Sequence, residues 1–343
     1  MQQPQISDLL DNPDFYLFGF DNDDAVFVRM DRECYARSIF FDERIVTLDD
    51  NAIRLPLCEL LAAVSKATVP KQRIGWIFHM AHTGSTLLAR ALDWPGKSLV
   101  IREPTTLRAL GVDAGALAKL STECEELLNL SLRMLDRRYA HDEVVIVKAN
   151  VPVNAIIPDL LATSAQPKAI LLHFGLDDYL TAILRSTNHR MWVERIFAEM
   201  RLDELPENTG ALSSAEKAVA LWLFQIRIYA EMLEVNPDIR SLDANIFFDK
   251  PLECLKAAAD YFDCPIDSDQ AIQIVSGDIF STYSKNPNAR FDNSDRKARA
   301  DKTRVALANE MNIARNWLES QLATASLPER LGQPLFGENS PLL

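Results

Sequence analysis

Arg73-Ile74-Gly75-Trp76-Ile77-Phe78-His79-Met80-Ala81-His82-Thr83-Gly84-Ser85-Thr86-Leu87-Leu88-Ala89-Arg90-Ala91-Leu92 is the stretch that decides the fold. Its first eight residues make a near-continuous apolar run of strand length, as expected of a strand buried on both faces. From Ser85 onward, Leu87, Leu88, Ala91 and Leu92 fall at helical spacing. Only a tight turn around Gly84 separates the two patterns. A helix start leaves backbone N–H groups unpaired and carries partial positive charge, so a glycine-containing turn entering a helix is an anion cradle. Gly84 lets the backbone approach a ligand, and Ser85 and Thr86 add hydroxyl donors. An ordinary strand-to-helix turn capped by Thr or Ser is the alternative reading.

The same strand type recurs downstream at Ser98-Leu99-Val100-Ile101, at Val144-Val145-Ile146-Val147 and over 168–172, each followed by a helical pattern. Doubly buried strands alternating with helices predict an α/β protein, with a mostly parallel, doubly wound sheet flanked by helices. Upstream, aromatic and β-branched runs at 15–18, 25–28, 38–41 and 44–46 are separated by acidic turn clusters such as Asp21-Asn22-Asp23-Asp24, which predicts a small antiparallel β-meander. A helix is expected over 56–66. The division read from these patterns is a β-rich accessory region over 1–70 and the α/β domain over 71–343. Within that domain 191–235 reads as helical, 239–247 as extended, 251–262 as helix, 281–294 as a polar turn-rich loop and 301–322 as a terminal helix.

With 48% apolar and 25% charged residues, the chain has the composition of an ordinary globular protein and not of a disordered or fibrous one. A net charge of −13 without a Lys/Arg run argues against a nucleic-acid partner. Small anions remain possible ligands, because backbone N–H groups and a few cations capture them at close range. The five cysteines are scattered and never spaced C-x-x-C, which predicts neither a disulfide framework nor a zinc site and fits a reducing cytoplasm. No basic leader precedes an apolar run, and no stretch approaches the roughly 20 apolar residues of a membrane span. The chain is therefore read as cytoplasmic and complete, without a membrane partner. Its oligomeric state is open.

The loop is not that of an NTPase, since G-x-x-x-x-G-K-[ST] would need Gly at His79 and Lys at Ser85. The strand-end Asp that organises Mg²⁺ in such enzymes is also missing, the candidate strands ending in Arg102-Glu103, Lys148 and His173-Phe174. His79 and His82 stand at H-x-x-H spacing without a third ligand in a recognisable pattern, and no metal is expected.

The loop resembles that of the sulfotransferase superfamily, which commonly reads Pro-Arg-[Ser/Thr]-Gly-[Ser/Thr]-Thr where this chain has Ala81-His82-Thr83-Gly84-Ser85-Thr86. Ile101-Arg102-Glu103-Pro104 is similar to the family's Glu-Pro segment. Val145-Ile146-Val147-Lys148-Ala149-Asn150 is similar to its strand ending Lys-x-Pro, and 166–173 to the strand that normally ends Arg-Asp-Pro-Arg. Leu242-Asp243 with the helix to Tyr261-Phe262 is similar to its Glu-Asp-Leu segment. These matches run in family order over about residues 73 to 290.

The resemblance implies transfer of a sulfuryl group from 3′-phosphoadenosine 5′-phosphosulfate (PAPS) to a hydroxyl or amine on a small-molecule, carbohydrate or peptide acceptor, without a metal. Thr83, Gly84, Ser85 and Thr86 would hold the 5′-phosphosulfate. Lys148, at the carboxyl edge of the sheet where ligands bind in this architecture, would neutralise the leaving group. Glu103 would be the general base, the alternative being a structural partner for Arg102 or Arg108. His82 stands at the loop position that is usually Arg, as a donor contact or a second candidate base. The family's Arg-Asp-Pro-Arg is here His173-Phe174-Gly175-Leu176, leaving His173, the helical hydroxyl of Thr181, Arg185 one turn further on, and Lys285 to contact the donor's 3′-phosphate. Because the usual arginines are replaced, a catalytically inactive nucleotide-binding or interaction module is the competing function. A kinase-like phosphotransferase is disfavoured by Ser85 in place of Lys.

Overall fold

The structure is a computed structural model that describes residues 4–66, 73–117, 119–205, 208, 210–283, 286–290, 292–322 and 326–343. The strands β1 (Phe15–Asp21), β2 (Asp24–Arg29) and β3 (Ile53–Pro56) pair antiparallel in that order. The strands β4 (Ile74–His79), β5 (Ser98–Arg102), β6 (Val144–Lys148), β7 (Lys168–His173) and β8 (Arg240–Asp243) form a wholly parallel sheet in the order β5-β6-β4-β7-β8.

Every residue of β4 is buried, as the apolar run requires. Successive side chains leave opposite faces of a strand. Trp76 and Phe78 enter one apolar core with Val145, Val147 and Leu171, whereas Ile77 enters a second with Ile146, Ile170 and Leu172. The first core is closed by Leu221, Trp222 and Ile226 of the helix Ser214–Val235. The second is closed by Leu87 and Leu88 of the helix Ser85–Ala91 and by Leu255 and Ala258 of the helix Pro251–Tyr261. Helices on both faces make the sheet doubly wound. Its strand order brings the carboxyl ends of β5, β6, β4 and β7 side by side.

The small N-terminal sheet differs from the expected meander in its last strand. Residues 38–41 and 44–46 are not strands, and β3 lies at Ile53–Pro56. Arg102, at the end of β5, donates to the carbonyls of Tyr35 and Ser38, and Phe41 N–H donates to the Arg102 carbonyl at 2.8 Å. Backbone groups that would have built a ladder are thus taken by the edge of the main sheet. Leu17, Ala25 and Phe27 pack with Leu60 and Leu130, while Tyr16, Tyr35 and Phe41 join the same apolar cluster as Leu99, Ile101 and Leu107.

Two other boundaries shift. The extended stretch expected over 239–247 stops at Asp243, whose side chain accepts from Asn245 N–H and starts the helix Ala244–Asp249. The helix expected over 301–322 is two, Asn293–Ala306 and Ala308–Leu322, the first begun by Asp292 accepting from Ser294 and Asp295 N–H. Among the described residues no helix is long and apolar enough to cross a membrane.

Candidate active site

The turn after β4 is held in a shape that few residues adopt. His82 has φ 67° and Gly84 φ 84°, both left-handed. Gly84 is the cap of the helix Ser85–Ala91, and a Cβ there would lie 2.9 Å from Phe248 Cζ and 3.1 Å from Phe247 Cε1. Glycine is therefore required both by φ and by space. Thr83 is fully buried and its hydroxyl donates to the Met80 carbonyl at 2.8 Å, so it braces the turn from inside and does not face the ligand side.

Gly84, Ser85 and Thr86 line a cavity of about 740 Å³, together with His79, His82, Phe174, Thr181, Arg185, His189 and Phe248. Another wall is the helix Asn293–Ala306, which contributes Arg296, Arg299 and Lys302 from one face at spacings of three residues. Among the described residues four cations thus line the cavity against one carboxylate, Asp178, which already pairs with Arg304 at 2.7 Å and accepts from Asn245 at 2.7 Å. On a chain of net charge −13 this is a locally positive chamber. Arg296 lies over the Phe248 ring at 4.4 Å, a stacked guanidinium beside the glycine turn. The Arg296-x-x-Arg299-x-x-Lys302 spacing was the available signal for this wall. A helix start placed at 301 instead of 293 hid it.

His82 and His189 meet edge to face with ring centroids 4.5 Å apart. His189 Nδ1 lies 2.8 Å from Ser186 Oγ and accepts from Arg185 Nε at 3.4 Å. His189 is a cavity residue that no sequence pattern singled out. Thr181 lines the cavity too, its hydroxyl donating to the Asp177 carbonyl at 2.6 Å.

Beside the cavity, Glu103 and Lys148 come together because β5 and β6 are neighbours in the sheet. Glu103 has φ 59° and its N–H donates to the Lys148 carbonyl at 2.7 Å. Its carboxylate takes the Lys148 ammonium, which is wholly buried. His79 joins this pair to the cavity: it lines the cavity, and its Nε2 lies 4.0 Å from Glu103 Oε1. The alternative partners for Glu103 are engaged elsewhere, Arg102 with Asp93 at 2.9 Å and Arg108 with Glu199.

His173 is 1% exposed at the end of β7, outside the cavity lining. Burial pushes its pKa below the ordinary histidine value, against the opposing pull of Asp243 on the adjacent strand. An anion contact from His173 would need it to leave that position. Lys285 lies outside the described residues. The structure thus gathers His82, Gly84, Ser85, Thr86, Thr181 and Arg185 around one cavity and sets Glu103 and Lys148 beside it. Among the described residues there is no group of three or more His, Cys, Asp or Glu placed to hold a metal ion.

No protein-family model matches the chain, and no curated protein matches its sequence. Among solved structures it is similar to the sulfotransferase domain from the curacin biosynthetic pathway, at 15% identity over 71% of this chain and 99% of that one, with a TM-score of 0.42. It is similar to the sulfotransferase domain from the Synechococcus PCC 7002 olefin synthase, at 15% identity over 77% and 98%, with a TM-score of 0.39. A sulfotransferase from Alicyclobacillus acidocaldarius aligns at 9% identity over 73% and 99%, with a TM-score of 0.35. All three carry the family name that the motif resemblance carries. At these identities and TM-scores the likeness assigns none of their chemistry to this chain.

Proposed function

We propose that this chain is a sulfotransferase that takes the sulfuryl group of PAPS and passes it to a hydroxyl or amine acceptor. The observation that carries the proposal is a juxtaposition: a glycine turn at a helix start faces a three-cation helix across one cavity, with a buried lysine–carboxylate pair at the end of the sheet beside it. A nucleotide with anionic groups at both ends of its ribose suits such a chamber. The 5′-phosphosulfate would lie on Gly84, Ser85 and Thr86, and the 3′-phosphate on Arg185 and the Arg296, Arg299 and Lys302 face, in the role that arginines at 173–176 would have filled.

In the transfer, Glu103 takes the proton of the acceptor O–H or N–H while that atom attacks sulfur in line with the bridging oxygen. The sulfur–oxygen bond to the 5′-phosphate breaks, and charge grows on the phosphate, where the Lys148 ammonium stabilises it. The donor's anion competes with Glu103 for that ammonium, so donor binding releases the carboxylate to act as base. The acceptor would be a small molecule, carbohydrate or peptide, and the five unpaired cysteines fit a cytoplasmic enzyme.

The wholly buried Lys148 and His173 favour a second reading, a nucleotide-binding module without transfer. Thermal shift tests the donor, and a transfer assay separates the two readings. Adenosine 3′,5′-bisphosphate should raise the melting temperature by mass action and ATP with Mg²⁺ should not. Stabilisation by ATP alone would overturn the donor assignment. Bisphosphate binding with no transfer from PAPS to any acceptor in a panel would favour the second reading.

A further inference from the structure

Phe40 is 4% exposed yet belongs to none of the three apolar cores. Its ring lies against charge instead. The Lys148 ammonium is 5.5 Å from the ring centroid and the Arg44 guanidinium 4.2 Å. Arg44 is itself paired with Asp42 and feels the Glu103 carboxylate. The segment that carries Phe40 is pinned by the residue before Glu103, since Arg102 donates to the Ser38 carbonyl at 2.9 and 2.6 Å and accepts from Phe41 N–H at 2.8 Å. A single strand end therefore presents the carboxylate and fastens the cover over it.

An ammonium without exposed surface has lost its hydration and keeps its proton only where other groups replace that water. Glu103 replaces part of it with a charge, and the face of an aromatic ring replaces part with its quadrupole. A leucine of similar bulk would fill the space and supply no quadrupole.

We propose that Phe40 is a positioning residue for the Lys148–Glu103 pair, holding the ammonium charged and in place, and that segment 38–44 belongs to the reaction site. The proposal rests on the functional reading above only in treating Lys148 as catalytic. The contact can be tested without any activity.

The test uses the full chain with Phe40→Leu, Phe40→Met and Phe40→Tyr, the methionine variant repeating the leucine experiment should leucine not fold. Nuclear magnetic resonance of protein carrying lysine labelled with carbon-13 at Cε, the Lys148 signal being assigned by its absence from Lys148→Met, reports the pH at which its amine loses the proton without a reagent having to reach the buried group. Loss of the ring lowers the pKa of the ammonium, so the titration of Lys148 in the leucine or methionine variant should fall about one pH unit below wild type, while tyrosine should restore the wild-type profile. The alkaline limb of the transfer rate should move by the same amount, and the bisphosphate thermal shift should persist. Identical Lys148 profiles in wild type and the leucine or methionine variant, or failure of tyrosine to restore, would overturn the proposal. The Lys148 titration decides it whether or not the bisphosphate binds. A wild-type protein that does not bind the bisphosphate overturns the donor assignment alone.

Discussion

Glu103 is bound to Lys148 twice, by its backbone N–H to the Lys148 carbonyl at 2.7 Å and by its carboxylate to the Lys148 ammonium. The left-handed backbone at Glu103 is what makes both contacts possible from one residue. Strained conformations of this kind cost about 1–3 kcal/mol and persist where the surroundings hold them. Here the hold comes from neighbouring parallel strands, and it sets the proposed base and the proposed electrophile in contact before any ligand arrives.

Lys148→Met keeps the bulk of the side chain and removes its charge. Sulfuryl transfer should fall by about a hundredfold or more, as when a single preorganised electrostatic group is removed from an active site. Bisphosphate binding, to which the loop and the opposite wall also contribute, should weaken by much less than transfer, as read by thermal shift. Undiminished turnover would take Lys148 out of the mechanism.

Arg299→Gln and Arg296→Gln should each weaken the bisphosphate, by about tenfold in dissociation constant for a lost charge-assisted contact of ~1.4 kcal/mol. Raised salt should narrow the gap between variant and wild type, because the lost contact is partly coulombic. Titration calorimetry at two ionic strengths measures both effects. Unchanged affinity would mean that the helix Asn293–Ala306 is a wall without a ligand role.

Gly84→Ala places a Cβ at left-handed φ and within 2.9 Å of the Phe248 ring. A loss of about 1–3 kcal/mol is expected, read as a lower urea midpoint, together with loss of the bisphosphate shift as the turn distorts. A variant as stable as wild type that still binds would show that the cradle tolerates a side chain.

His173 gives a pH dependence whose sign follows from burial. Its folded pKa lies below the ordinary value of 6.5, so the unfolded chain binds the proton more readily. Stability is therefore full above pH 6.5, falls as the pH drops below that value, and levels off once the folded pKa is passed. His173→Leu should flatten this part of the profile in urea unfolding between pH 7.5 and the acid limb. Parallel profiles for variant and wild type would show that another group drives the fall.

The legible part of this protein is the part whose cause is local. The run 74–79, the turn at Gly84 and the helical spacing of Leu87, Leu88, Ala91 and Leu92 are neighbours in the chain, and periodicity alone predicts strand, turn and helix there. The parallel sheet follows from repeating that pattern. The third strand of the N-terminal sheet was misplaced because the groups that prevent residues 38–41 from pairing belong to Arg102, more than sixty residues away. That Glu103 pairs with Lys148, and not with Arg102 or Arg108 as the alternative reading had it, depended in the same way on which strands lie side by side.

By itself the sequence determined the doubly buried strands, the glycine turn that opens the helix Ser85–Ala91, and the kind of side chain standing at each strand end. Only the tertiary structure decided that Lys148 pairs with Glu103, that His173 is withdrawn from the cavity, that Arg296, Arg299 and Lys302 face the glycine turn, and that Phe40 covers the ion pair. Backbone conformation answers to neighbours a few residues away. The charge of a site answers to whatever the packing of distant elements brings within a few ångströms, where coulombic and hydrogen-bond energies are large.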